Sequence, residues 1–130
     1  MAATPSDLGP AQVGQISINV HDVDRAVSFY RDKLGLRYLF QVPKMAFFDC
    51  GGVRLLLGLP ETPEFDHPGS VIYFKVLDIQ ASFQTLKERG VEFEGQPHLI
   101  AKLSDHDLWM AFFRDVDRNL LAVMSEVPRP

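Results

Sequence analysis

The side chains best suited to chemistry are four histidines, His21, His67, His98 and His106. No two of them stand at the short spacing that puts a pair of imidazoles on one helical turn, so a metal site would need ligands gathered from separate segments. If His67, His98 and His106 converged with a carboxylate, the set would suit zinc or iron. The plainer expectation is that His98 or His106 lines a ligand cavity as a hydrogen-bond partner or general base, with Tyr73 as the acid. Asp105-His106-Asp107 places carboxylates beside an imidazole, but neighbours on a strand point to opposite faces, so a solvated loop is the competing reading. His21 stands just before a helix cap and His67 in a proline-rich stretch, both expected at the surface. No Ser–His–acid pattern, phosphate-binding glycine loop or dinucleotide fingerprint is present, and Gly51-Gly52 reads as a hairpin turn. Cys50 is the one cysteine. It permits no disulfide within the chain and no cysteine-rich metal site, which fits a reducing, cytoplasmic setting.

These residues are positioned by a repeat. Ile16, Ile18 and Val20 alternate with polar residues as a half-buried strand does. Asp22 is a natural N-cap, and Val23, Ala26, Val27, Tyr30 and Leu34 form an apolar helical stripe ended by Gly35. The pattern returns 56 residues later, with Val71–Val76 as the strand, Asp78 as the cap, Ile79, Ser82, Phe83 and Leu86 as the stripe, and Gly90 as the stop. A unit recurring in register is stronger evidence than either copy alone. Three strands follow each helix, over 36–42, 45–50 and 53–57 and then over 91–103, 108–114 and 119–125. The expected organisation is therefore an α+β chain of two tandem βαβββ modules. Module one spans 14–58, a proline-rich linker 59–69 and module two 70–126, after a loose tail over 1–13.

Strand parity assigns the faces. Ile16, Ile18 and Val20 must cover the first helix, and Ile72, Phe74 and Val76 the second. The opposite faces are free to curl into an eight-stranded assembly around a central trough. Gln15, Arg54, Leu56, Val71, Tyr73, Ala122 and Met124 are expected to line that trough. Trp109 and Phe112, with Phe47, Phe48 and Phe113, could add an aromatic wall.

The bulk numbers agree with a small globular protein. The chain has 130 residues, 46% hydrophobic and 23% charged, and its ten phenylalanines are generous for a core or pocket of this size. A net charge of −4 leaves no electrostatic footprint for nucleic acid. No apolar run approaches a membrane span, and no leader peptide is evident.

Several stretches together resemble the vicinal oxygen chelate superfamily, which includes glyoxalase I, the bleomycin- and fosfomycin-resistance proteins and the extradiol dioxygenases. They are Val20-His21-Asp22-Val23-Asp24-Arg25-Ala26-Val27-Ser28-Phe29-Tyr30, Leu34-Gly35-Leu36, Gly51-Gly52-Val53-Arg54-Leu55, Val76-Leu77-Asp78-Ile79, Leu86-Lys87-Glu88-Arg89-Gly90-Val91 and 113–121. The resemblance covers nearly everything after Gly14. It implies four metal-ligand positions, which fall on Gln15, Leu56, Val71 and Ala122. Three of these are hydrocarbon, and one neutral amide cannot hold a hard divalent cation. The resemblance also implies a glycine in the last turn, where this chain has Arg118, so a strained residue with positive φ is expected there. Pairing into a homodimer is a further implication.

The leading expectation is a protein that binds a small apolar or aromatic molecule in the trough, with no cofactor and no metal. Gln15, Arg54 or a histidine would orient the ligand. The alternatives are a divalent-metal-dependent lyase or dioxygenase with displaced ligands, and a cofactor-independent lyase or isomerase using His98 or His106 with Tyr73.

Overall fold

The computed structural model describes residues 12–130; most of the expected tail, residues 1–11, lies outside the described residues. Strand β1 (Gln15–Asn19) runs into helix α1 (Val23–Val27) through Asp22. Asp22 is extended, and its carboxylate accepts the Arg25 N–H at 3.0 Å. Asp78 repeats the device for α2 (Ile79–Glu88), accepting the Ala81 N–H at 3.1 Å. Each cap stabilises its helix by about 1 kcal/mol.

Beyond Val27 the first helix widens. Residues Ser28–Lys33 form a π-helical turn, in which the Leu34 N–H donates to the Phe29 carbonyl at 3.1 Å. A π turn absorbs one residue more than an α turn. It brings Phe29 and Tyr30 into the core together, where a regular stripe would bury Tyr30 alone. The insertion also explains why Gly35 lies one residue farther from its cap than Gly90 does. Both glycines end their helices at positive φ, 75° and 90°.

Strands β2 (Arg37–Val42), β3 (Met45–Cys50) and β4 (Val53–Gly58) complete the first module, in the sheet order β1-β4-β3-β2. Strands β5 (Ile72–Lys75), β6 (His98–Lys102), β7 (His106–Arg114) and β8 (Leu120–Pro128) give the matching order β5-β8-β7-β6. In each sheet the first and last strands pair in parallel across the helical crossover. The long strand expected over 91–103 is broken. Phe93 makes one isolated bridge to Phe113, and regular pairing resumes only at His98, after Gly95 and Pro97.

The core lies on the helix side of both sheets. Leu55, Leu57, Ala46 and Phe48 belong to the same buried cluster as Phe113, Leu121 and Val123. The modules meet there around one carboxylate. Asp115, 4% exposed, accepts the Tyr30 hydroxyl at 2.7 Å, the backbone N–H groups of Asp117 and Asn119 at 2.8 Å each, and the Asn119 amide at 2.9 Å. Asn119 also donates to the Asn19 carbonyl at 2.9 Å. Burial, with Asp115 beside it, pushes the Tyr30 hydroxyl well above the usual phenol range, so it stays a donor. The turn that supplies Asp115 carries Arg118 at φ 67°, the one non-glycine with positive φ among the described residues.

Two stability measurements follow. Tyr30→Phe deletes one donor to a buried carboxylate and is expected to cost about 1–3 kcal/mol in urea unfolding. Arg118→Gly relieves the left-handed strain and is expected to raise stability by up to about 1 kcal/mol in the same assay.

Candidate functional site

Each sheet keeps one face free of helices. In module one that face carries Gln15 and Ser17 from β1, Arg54 and Leu56 from β4, Phe47 from β3 and Phe40 from β2. Leu56 lies between Ser17 and Phe47 in the ladder. The Phe40 ring stacks on Phe47 at 4.5 Å, and the Arg54 guanidinium stands 5.4 Å from the Phe47 centroid. Arg54 Nε donates to the Gln15 amide oxygen at 2.9 Å. A cation therefore occupies the Gln15 amide oxygen, the one side-chain donor among the four implied ligand positions.

In module two, Tyr73, Ala122 and Phe112 form one rung across β5, β8 and β7. The Tyr73 and Phe112 rings meet edge to face at 6.0 Å. Ala122 is fully buried yet lies outside the helix-side core cluster, so the two flanking rings are what cover it. The His98 ring lies 6.5 Å from Phe112, and its Nδ1 is within 3.1 Å of the Gln96 carbonyl. Met124 continues this face one rung along, opposite Lys75 and Met110.

Two expected site residues stand elsewhere. Trp109 packs against the helix-side core. It is an odd number of residues from Phe112, so the pleat turns the two rings to opposite sides. His106 shares the parity of Phe112 but sits six residues up β7, about 20 Å away by strand rise. Its Nδ1 meets the exposed Asp105 carboxylate at 2.6 Å, a hydrogen bond that holds the Asp105 carboxyl below its usual range. His98, flanking the ring that Tyr73 touches, is the histidine that shares a neighbourhood with Tyr73.

A polar cavity of about 740 Å³ lies where module one, the linker and module two meet. Val71 lines it with Ser17, Asn19, His67, Arg114 and Arg118. A second cavity, of about 710 Å³, includes Tyr73 in its wall. Gln15, Arg54, Leu56, Phe112, Ala122 and Met124 line neither. The chain thus presents two side-chain clusters, Gln15–Arg54–Phe47–Leu56 on one sheet and Tyr73–Ala122–Phe112–His98 on the other.

The positions implied for a divalent metal do not fit one. Leu56, Val71 and Ala122 have no donor atoms, and Gln15 is bound to a guanidinium. Among the described residues no three His, Cys, Asp or Glu side chains are grouped to hold a metal, so His67, His98 and His106 do not assemble a displaced site.

One further polar device joins distant parts of the chain. His21 is clamped at both ring nitrogens, by Asp117 at 2.9 Å on Nδ1 and by Asp66 at 2.9 Å on Nε2. It joins the start of α1 to the linker and to the β7–β8 turn. Its partners lie 45 and 96 residues away, so no local pattern in the chain marks it.

Comparison with known proteins agrees with this architecture. The Glyoxalase/Bleomycin resistance protein/Dioxygenase superfamily matches residues 12–123. The uncharacterised protein YraH of Bacillus subtilis is 32% identical, over 84% of this chain and 94% of its own. The crystal structure of a superfamily member from Sphaerobacter thermophilus superposes with a TM-score of 0.75 at 28% identity, over 89% of this chain and 98% of that one. Lactoylglutathione lyase from Agrobacterium tumefaciens shares the fold, with a TM-score of 0.74 at 23% identity over 89% and 94% of the two chains. No helix among the described residues is long and apolar enough to cross a membrane.

The His21 clamp predicts a pH dependence. The hydrogen bond to Asp66, then that to Asp117, raises the His21 pKa above its ordinary 6.5. A folded pKa above the unfolded one gives stability that is complete below pH 6.5 and is lost as pH rises through the folded value. Melting temperature is expected to fall over that window in the native chain, and His21→Ala to remove that component. Because His21 is largely exposed, the component is small and screened by salt.

Proposed function

The chain belongs to the Glyoxalase/Bleomycin resistance protein/Dioxygenase superfamily, and from that premise we propose that it binds a small apolar or aromatic molecule on its helix-free sheet faces without a divalent metal. The observation that carries this reading is the rung Tyr73–Ala122–Phe112, in which two rings and a methyl group occupy a place where a chelating relative needs a donor. Leu56 beside Phe47 gives the other sheet the same apolar character. Burying a ligand there would release water at about 25 cal/mol per Å² of apolar surface. Arg54 and His98 are the polar groups at hand to orient the ligand, Arg54 toward an acidic substituent.

A second copy of the chain is proposed to complete the site. Phe40 and Tyr73 are 46% and 43% exposed, and an aromatic face left in water is a surface that favours a partner. If module one of one copy faced module two of another, the Arg54 and Tyr73 clusters would lie across one space. A second reading, a cofactor-independent lyase or isomerase with His98 as base and Tyr73 as acid, is favoured only by their common neighbour Phe112.

Native mass spectrometry is expected to show a dimer, and elemental analysis to show no stoichiometric Zn, Ni, Mn or Fe. Titration with 2-naphthol, a neutral two-ring probe, is expected to saturate and to weaken about tenfold in Phe112→Ala. Stoichiometric metal, or naphthol binding indifferent to the substitution, would overturn the reading.

A further inference from the structure

The more apolar of the two cavities among the described residues is on the other side of the sheets. A cleft of about 710 Å³ separates α2 from the edge of module one, and nothing in the superfamily reading assigns it. Its walls include Ile16, Leu34, Leu36 and Leu55 from module one, and Phe74 and Leu86 from module two. Ile16, Leu34, Leu36 and Phe74 remain only partly buried, although they flank the common core. The cleft has the volume and the apolar lining of a small-molecule site.

One end of it is cationic. Ser82, Thr85 and Arg89 line it from α2 and its C-terminal cap, at spacings that place them along one helical face. Arg89 donates to the Lys33 carbonyl at 3.0 Å, and Lys33 Nζ lies 3.4 Å from where a Cβ on Gly90 would stand. Neither cation makes an ion pair among the described residues. Two unneutralised cations more than offset the weak negative end of the α2 dipole. Two hydroxyls beside them supply neutral donors.

We propose that this cleft is a second ligand site, taking an amphipathic monoanion whose hydrocarbon body lies between the modules and whose carboxylate meets Arg89. Charge complementarity selects this occupant over a neutral one. The inference does not rest on the helix-free faces. Only Tyr73 and Lys75 are common to both, and Phe47, Leu56 and Ala122 lie outside the cleft.

Cys50 supplies a local reporter. It is the only cysteine in the chain and it lines the cleft. Burial, then the nearby Asp49 charge, raises its thiol pKa, so labelling is slow enough to time. The full chain is labelled with a maleimide at fixed pH, with octanoate or with octanol. Saturating octanoate is expected to slow Cys50 labelling at least about tenfold, and octanol to need about tenfold higher concentration for the same protection. Arg89→Gln is expected to erase that preference, and Lys33→Gln, which keeps the carbonyl bonded to Arg89, to reduce it. Phe47→Ala, outside the cleft, is expected to leave the octanoate preference in Cys50 labelling as it is. Equal protection by octanol and octanoate, or an unchanged preference in both cation variants, would sink the proposal. So would protection that rises with protein concentration alone, since that would mark the cleft as an interface between copies. The naphthol titration stands or falls separately, because its diagnostic residue, Phe112, is not in this cleft.

Discussion

The structure turns on a buried carboxylate. Asp115 belongs to the β7–β8 turn of module two, but its donors include Tyr30 from the π-helical turn of module one. A carboxylate this deep is tolerated only when its oxygens are fully engaged. Four donors meet it, two from its own turn's backbone, one from Asn119 and one from Tyr30. Taking Tyr30 away from that arrangement would leave a charge short of a partner in the core. The modules are thereby held in one relation, with their helix sides sharing a hydrophobic cluster. Asn119 reinforces it by reaching the Asn19 carbonyl, and Asp117 of the same turn reaches His21.

That constraint accounts for features which look unrelated. The π turn is needed because Tyr30 must reach Asp115 while Phe29 stays in the core. Arg118 is held at positive φ because its neighbours, Asp115, Asp117 and Asn119, are all committed to the junction, which leaves the turn no freedom to relax. The shared core on the helix side leaves the opposite sheet faces for other uses, and it leaves a cleft where α2 and module one do not quite close.

Much of this was legible in the chain. Asp22 and Asp78 cap their helices by the same bond at the same offset, and the alternation of Ile16, Ile18 and Val20 names the covered face correctly. Parity also places Leu56 and Ala122 on the helix-free side. The one-residue shortfall at Gly90 against that offset was a readable sign of the π insertion. Trp109 departs from the expected aromatic wall because its odd offset from Phe112 turns it to the helix side. The break at Gly95 and Pro97 was equally readable, and it shortens the strand that starts after the second helix. What the chain could not disclose is how the modules dock. The His21 clamp, the polar cavity around Val71 and the cleft beside α2 all depend on residues brought together across that junction, and no spacing within a module encodes it.

On these two sheets the placing of a side chain and its chemistry are separate matters. Backbone register decides where a side chain points, and it is indifferent to what that side chain is. Gln15, Leu56 and Ala122 lie on the helix-free faces, where one amide and two hydrocarbon side chains offer a divalent ion too few donors. Arg54 adds to this, because its guanidinium is bonded to the Gln15 amide oxygen and repels a second cation. With Phe47 beneath that guanidinium and Tyr73 and Phe112 on the other sheet, the faces reward the loss of water from an apolar surface. Seating a metal there would need several donors at once and the removal of Arg54, whereas resizing a ring would change only the shape of an apolar face.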